Sequence, residues 1–248
     1  MSIGELWNRG YILWFLSNEN PACPAEGYDA LTFYGLFAVG ILVISMIIPY
    51  LLGSINTAVA ISRLFYRDDI RNHGSGNAGT TNMLRTYGKI AALGTLLGDV
   101  VKTALSVTLA SFLMSVHFGG WIAGLFCMIG HVFPIYYRFK GGKGVLCAAT
   151  AIAFLSPYSF LIAILIFVAI VGMSKYVSLG SIVAAFFLPL LVNMQNVLAE
   201  TGGVNGLISV VMACFVIWCH RENIKRIGNR TESKLSFKKK TKDGEETK

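Results

Sequence analysis

Residues 69–85 read Asp69-Ile70-Arg71-Asn72-His73-Gly74-Ser75-Gly76-Asn77-Ala78-Gly79-Thr80-Thr81-Asn82-Met83-Leu84-Arg85. Glycines at 74, 76 and 79 permit positive φ and leave backbone N–H groups unshielded, so a loop of this kind can wrap an anion. Ser75, Asn77 and Asn82 add neutral donors. Arg71 and Arg85 add planar forks, each able to give a phosphate two parallel bonds. A plain connecting loop also uses Gly, Ser and Asn, but the density of these types beside two arginines favours phosphate chemistry.

A second cluster begins at Gly130-His131-Val132-Phe133-Pro134 and continues through Arg138-Phe139-Lys140-Gly141-Gly142-Lys143-Gly144-Val145. Gly-Gly-Lys-Gly opening a helix offers free backbone donors at Gly141, Gly142 and Gly144, the positive end of a helix dipole, and the Lys143 ammonium. Together these make a phosphate site. It is not a Walker A loop, because Gly144 stands where the magnesium-holding Ser or Thr would be, and no nucleotide is implied. The competing reading is a basic turn at a membrane surface. His131 is either a satisfied interior histidine or a proton-handling group.

Two further features complete the set. Ser178 and Ser181 open an apolar run, where a hydroxyl at a helix N-terminus meets anions. His220 and Asn223 close another, three residues apart on one side, although a terminal His also serves as a C-cap partner. Asp99 and Lys102, spaced to pair along a helix, lie within an apolar run as either a functional pair or structural glue.

The elements that must position these groups are membrane helices. The chain has 248 residues, 54% hydrophobic and 14% charged, a composition outside the soluble range. Its apolar residues come in unbroken stretches instead of stripes. Since a crossing needs roughly 20 apolar residues, candidate spans fall near 33–62, 91–114, 118–137, 144–156, 158–173, 177–195 and 204–219. The expected fold is an all-α integral membrane protein, a compact bundle of about seven transmembrane helices, several of them short.

Charge decides how the short fourth and fifth runs are read. With seven crossings, 19 of the 21 Lys and Arg residues fall on one face, whereas a single helix over 144–173 would strand Lys175 and the tail opposite the other basic loops. The hairpin is therefore kept, with the N-terminus outside and the C-terminus in the cytoplasm. All the anion-binding candidates except the Asp99/Lys102 pair then share the cytoplasmic face, which argues for one site.

Residues 1–30 read as an extracytoplasmic segment, with Trp7, Tyr11, Trp14 and Phe15 suiting an interfacial helix. No cleaved signal precedes the first run, which follows Glu19, Glu26 and Asp29 instead of a basic stretch. Residues 31–222 form the membrane domain. Residues 223–248, around Lys238-Lys239-Lys240, read as a largely disordered basic tail. The five cysteines show no CxxC spacing, so neither disulfides nor a metal site is implied.

The segments Gly53-Ser54, Asp69-Ile70-Arg71, Gly74-Ser75-Gly76-Asn77, Thr81-Asn82 and Arg85 carry a resemblance. With Gly130 to Pro134, Phe139 to Val145, Tyr176 to Ser181 and His220 to Asn223, they closely resemble the bacterial acyl-phosphate-dependent glycerol-3-phosphate acyltransferases, the PlsY family. The motifs run in order from about 49 to 235, with Thr80, Thr103 and Leu146-Cys147 as small departures. The resemblance implies the first acylation of phospholipid synthesis, at the inner face of a bacterial cytoplasmic membrane. Acyl phosphate and glycerol 3-phosphate would be the substrates and membrane lipid the surroundings. It implies no acyl carrier protein, coenzyme A, nucleic acid, metal or other cofactor, and a monomer.

Carried over by motif, Ser75, Arg85, Lys143, His220 and Asn223 would be catalytic and, with Ser181, surround glycerol 3-phosphate. Arg71, Gly74, Gly76, Asn77, Asn82, His131, Gly141, Gly142 and Gly144 would bind substrate, the two glycine loops cradling the acyl phosphate. A transporter or channel for an organic phosphate needs similar groups, but no internal repeat of the usual kind is visible. A lysine-rich lipid adaptor would leave both glycine clusters unexplained.

Overall fold

The computed structural model describes residues 28–114, 116–199 and 204–235. The N-terminal segment to residue 27 and the Lys238–Lys240 cluster lie outside them. The described residues form helices joined by short turns. These are α1 (Tyr28–Ser54), α2 (Thr57–Tyr66), α3 (Thr80–Tyr87), α4 (Lys89–Leu113), α5 (Trp121–Val132), α6 (Val145–Leu155), α7 (Pro157–Ser174), α8 (Val177–Leu198), α9 (Val204–Cys219) and α10 (Arg221–Gly228).

Among the described residues, five stretches are long and apolar enough to cross a membrane: Gly35–Tyr66, Lys89–Leu113, Phe118–Tyr137, Pro157–Ser174 and Val177–Leu198. A sixth arises if α9 and α10, bent by 53°, count as one. At 11 residues, α6 is only about 16 Å long and cannot cross alone. It turns back at Ser156 into α7, as the charge argument requires. Pro157 takes the first position of α7, where its missing N–H costs nothing, and the Ser156 hydroxyl donates to Gln195 Oε1 at 2.6 Å.

The first span differs from expectation, because the run read as one helix over 33–62 breaks at Ile55-Asn56. Asn56 caps α2, its Oδ1 accepting from the Val59 N–H at 3.1 Å. A break inside a membrane leaves carbonyls without helical donors, which is tolerated only where protein supplies the partner. Here the partner is Lys102 of α4, whose Nζ donates to Gly53 O at 3.1 Å and Ile55 O at 2.9 Å.

The stretch over 63–89 is also more ordered than a loop. Asp69 caps a short 3-10 turn at Ile70–Asn72, and Asn82 and Arg85 ride on α3. The tail departs from the disorder expected beyond residue 223, since α10 continues to Gly228 and the backbone N–H of Leu235 donates to Lys175 O at 2.7 Å. Buried ion and amide partners, described below, offset its charge.

The α1–α5 contact depends on glycine. A Cβ on Gly53 would collide with the Cys127 carbonyl, and one on Gly130 with the Tyr50 carbonyl. Backbone can approach backbone this closely only where no side chain intervenes. Gly130→Val should therefore separate α1 from α5 and cost roughly 1–3 kcal/mol by overpacking. Thermal unfolding in detergent is expected at a clearly lower temperature than wild type; an unchanged midpoint would contradict the close contact.

Candidate active site

The turns at one end of the bundle enclose a polar cavity of about 360 Å³. Of the sequence-derived residues, Ser75, Asn77, Asn82, Arg85, His131, Lys143, Gly144, Ser181, His220 and Asn223 line it. They come from α3, α5, α8, α10 with its N-cap His220, and the loops before α3 and α6, so distant segments converge as the single-site argument required. Arg71, Gly74, Gly76, Gly141 and Gly142 are not on its wall.

The structure accounts for each of those five. The Arg71 guanidinium forks onto Asp69 at 2.9 and 2.7 Å, and its Nη1 donates to Tyr137 O and Lys140 O at 3.0 and 3.1 Å. Arg71 thus ties the first loop to the second. Gly74, at φ +56°, leaves room for Asn82, whose Oδ1 accepts from the Ser75 N–H while its Nδ2 donates to Ile70 O and His73 O. Gly76, at φ +70°, continues the same turn.

Gly141 and Gly142 differ most from the phosphate-loop reading. Their N–H groups donate to Val132 O and His131 O, both at 3.1 Å, so these donors close the end of α5. Glycine is needed there because a Cβ on either residue would strike His131. The backbone donors left for an anion lie one step later. Gly144, at φ +75°, opens α6, whose first-turn N–H groups have no helical acceptors.

Lys143 donates to Asn223 Oδ1 at 2.5 Å, and Asn223 Nδ2 donates to Glu232 Oε1 at 2.7 Å. The same Oε1 accepts from Ser178 at 2.7 Å, and Oε2 accepts from Arg226 Nε at 2.8 Å. Burial works against charge on Glu232, but these three bonds outweigh it and hold the carboxyl below its ordinary range. Arg85 donates to Ser233 O at 3.0 Å. Residues 232–233 thus cross the cavity wall, joining the basic groups from three segments.

Sequence reasoning passed over Glu232, Arg226 and Ser233 because they lie in a charged stretch without apolar periodicity. The available signal was Glu232 itself, the one carboxylate between Asn223 and the Lys238–Lys240 cluster.

His220 Nδ1 lies 2.8 Å from Val216 O. A carbonyl only accepts, so Nδ1 carries the hydrogen, and Nε2 of the neutral ring is left to accept a proton. The deeper wall holds Leu96, Asp99 and His131. Asp99, ten residues into α4, is about 15 Å along the helix from Lys89.

A second, apolar cavity of about 180 Å³ lies among α6, α7, α8 and α9, walled by residues such as Ala148, Ile152, Ala185, Leu188 and Ala213. It shares Val145, Leu146, Ile164, Phe167 and Ser181 with the polar cavity. A cationic chamber and an apolar groove therefore meet at one wall, suiting a molecule with an anionic head and an aliphatic chain.

Fold and cavities define a multi-pass helical membrane protein with a cationic cavity at one end of its bundle and an apolar groove sharing its wall. A family model described as glycerol-3-phosphate acyltransferase matches residues 43–230, and the chain belongs to that family. A glycerol-3-phosphate acyltransferase of Mycoplasmopsis agalactiae is 39% identical over 243 residues, covering 86% of this chain and 98% of the relative. One of Bacillus subtilis is 37% identical over 192 residues, covering 77% and 96%.

Among solved structures, PlsY (YgiH), an integral membrane glycerol 3-phosphate acyltransferase, aligns in its glycerol 3-phosphate form with TM-score 0.72 and 32% identity. That alignment covers 79% of this chain and 96% of PlsY. Its lysophosphatidic acid form aligns with TM-score 0.69, 30% identity and the same coverage.

The surroundings of Lys143 generate a pH dependence. Burial pushes its ammonium down to about 8, with Glu232 pulling upward and Arg226 and Arg85 adding to the fall. The charged form is complete well below that value and is lost as pH rises through it. A phosphate monoester, with its second pKa near 6, is already a dianion above pH 7. Its affinity should therefore fall roughly tenfold between pH 7 and pH 9. Lys143→Arg, whose charge does not titrate there, should flatten the profile. Equilibrium binding of a radiolabelled phosphomonoester checks this; an equally steep fall in the Arg variant would remove Lys143 as its cause.

Proposed function

We propose that the protein transfers a fatty acyl group from an acyl phosphate to the sn-1 hydroxyl of glycerol 3-phosphate, releasing lysophosphatidic acid and inorganic phosphate. The observation that carries this reading is the shared wall between the cationic cavity and the apolar groove. In this reading Ser75, Arg85, Lys143, Ser181, His220 and Asn223 surround glycerol 3-phosphate. The first turn of α6 from Gly144, with Asn77 and the Ser75 loop, holds the phosphate of the acyl donor, whose chain lies in the groove. Asn82, Arg71, Gly74, Gly76, Gly141 and Gly142 act by holding the two loops in place.

An acyl phosphate is a mixed anhydride whose leaving group is already a stabilised anion, so the chemistry asks little of a nucleophile. Holding the hydroxyl against the carbonyl can supply roughly 7–11 kcal/mol of the barrier, and the cations offset charge on two phosphorylated molecules. Transfer is direct, with no acyl-enzyme, and the hydroxyl proton passes to His220 Nε2 or to a substrate phosphate. The enzyme works as a monomer at the inner face of the cytoplasmic membrane, where the positive-inside rule puts the basic loops that carry the site. It needs no acyl carrier protein, coenzyme A or cofactor.

Purified protein offered glycerol 3-phosphate with acyl phosphate, acyl-CoA or acyl carrier protein should form lysophosphatidic acid from the first donor alone. Lys143→Ala should insert normally and lose at least about a hundredfold in turnover. Mass spectrometry during turnover should find no acyl group on Ser75, Ser181 or a cysteine. Equal use of acyl-CoA would overturn the donor assignment, and uptake of glycerol 3-phosphate into sealed vesicles without product would favour a transporter.

A further inference from the structure

We propose that His131 donates the hydrogen bond that stabilises the oxyanion formed at the acyl carbonyl, with Lys102 and Asp99 as positioning residues that fix its ring. The inference rests on the acyl-transfer reading above and assigns a role to ions that reading leaves unused. Asp99, Lys102 and His131 are 1%, 6% and 5% exposed. The cationic part of the cavity is built from Lys143, Arg85 and Arg226 without them. Yet Asp99 and His131 line the deep wall of the same cavity.

The tautomer of His131 follows from its partners. Lys102 Nζ lies 3.0 Å from Nδ1, and an ammonium has hydrogens to give and no lone pair, so Nδ1 accepts. A neutral ring whose Nδ1 accepts carries its hydrogen on Nε2. The Lys102 ammonium has three hydrogens for four acceptors, Nδ1, Asp99 Oδ1 at 2.8 Å, Gly53 O and Ile55 O, so one N–H is shared between two of them. Asp99 Oδ1 accepts from Thr57 at 2.9 Å as well and stands 3.6 Å from Nδ1, too far to take a hydrogen from it. Nε2 lies against Gly142, where a Cβ would overlap it, so the donor edge sits beside the turn that carries Lys143.

In the reaction the glycerol hydroxyl oxygen bonds to the acyl carbon, and the carbonyl π pair moves onto its oxygen, which accepts from Nε2–H. On collapse that pair re-forms the carbonyl and the carbon–oxygen bond to phosphate breaks. The hydroxyl proton ends on the departing phosphate, directly or by way of His220. His131 gives up no proton. A fixed neutral donor is worth most as charge develops on the oxygen, so it should act on kcat more than on KM.

Two substitutions separate this role from a structural one. His131→Asn sets an amide oxygen near the place of Nδ1, so Lys102 keeps an acceptor while the donor near Nε2 is lost. His131→Gln carries an amide N–H to about the Nε2 position. Expected are a fall in kcat of about 10²–10³-fold for Asn, recovery of at least about tenfold of it by Gln, and a KM for glycerol 3-phosphate within about threefold in both. If His131 only satisfied Lys102, Asn would be tolerated at least as well as Gln, and that result would overturn the proposal.

Nitrogen-15 NMR of histidine-labelled wild-type protein at pH 7 gives a readout that needs no variant to fold: Nε2 of His131 should be protonated and Nδ1 bare. The opposite tautomer, with Nε2 bare, rules the donor out. Failure of wild-type protein to transfer from any acyl donor would sink the acyltransferase reading itself. Normal wild-type turnover with an unimpaired His131→Asn variant would sink this inference alone.

Discussion

The Lys102 ammonium is the constraint around which the membrane part of this molecule is arranged. A lone cation at such depth costs roughly 2.5–3.5 kcal/mol on insertion scales, and a helix broken in the bilayer leaves carbonyls that lipid cannot satisfy. Each defect cancels the other here. The break after Ser54 turns Gly53 O and Ile55 O toward the ammonium, and Asp99 on the same helix balances its charge. His131 completes the knot from α5. Three helical segments are thereby fixed relative to one another by directional bonds, a precision that packing against fluid lipid does not supply.

That knot also sets where the loops sit. Asn56, at the break, caps α2 and lies 3.4 Å from Ala78 O in the first loop. His131, at the end of α5, accepts the Gly142 N–H with its carbonyl and packs its ring against the same glycine. Arg71 then joins the loops from outside through Tyr137 O and Lys140 O. Lys143 is therefore placed in part by residues, Asn56, Arg71 and Gly142, that do not themselves line the cavity. Precision at a site of this kind comes from such supports, since a long lysine side chain has too much rotamer freedom to hold one position unaided.

What could be read from sequence divides along a physical line. Five or six of the seven expected crossings and the α6–α7 turn were legible because both follow from one-dimensional quantities: apolar run length, Ser156-Pro157, and the side on which bases fall. The break at Ile55-Asn56 was not, because its cause lies at Lys102, far along the chain. Gly141 and Gly142 show the same limit at the site. Their type correctly marked a turn beside the cavity, but whether a glycine N–H meets a ligand or a carbonyl depends on where α5 ends. Glu232 was hidden for a different reason: a charged stretch reads as solvated unless its partners are known, and those partners, Ser178, Asn223 and Arg226, come from two separate helices.

The cationic cavity and the apolar groove have opposite demands on solvent, and their shared wall shows how one site can meet both. A phosphate needs donors that replace water, whereas an aliphatic chain needs water absent. Val145 and Leu146 serve both demands, with first-turn N–H groups at one end of α6 and side chains on the groove. A short helix that begins at the surface and stops inside the bilayer is suited to this role, because its N-terminus faces the polar cavity while its length reaches only the groove. The brevity of α6, which looks like a defect in a membrane span, is thus what lets the cationic cavity and the apolar groove share one wall.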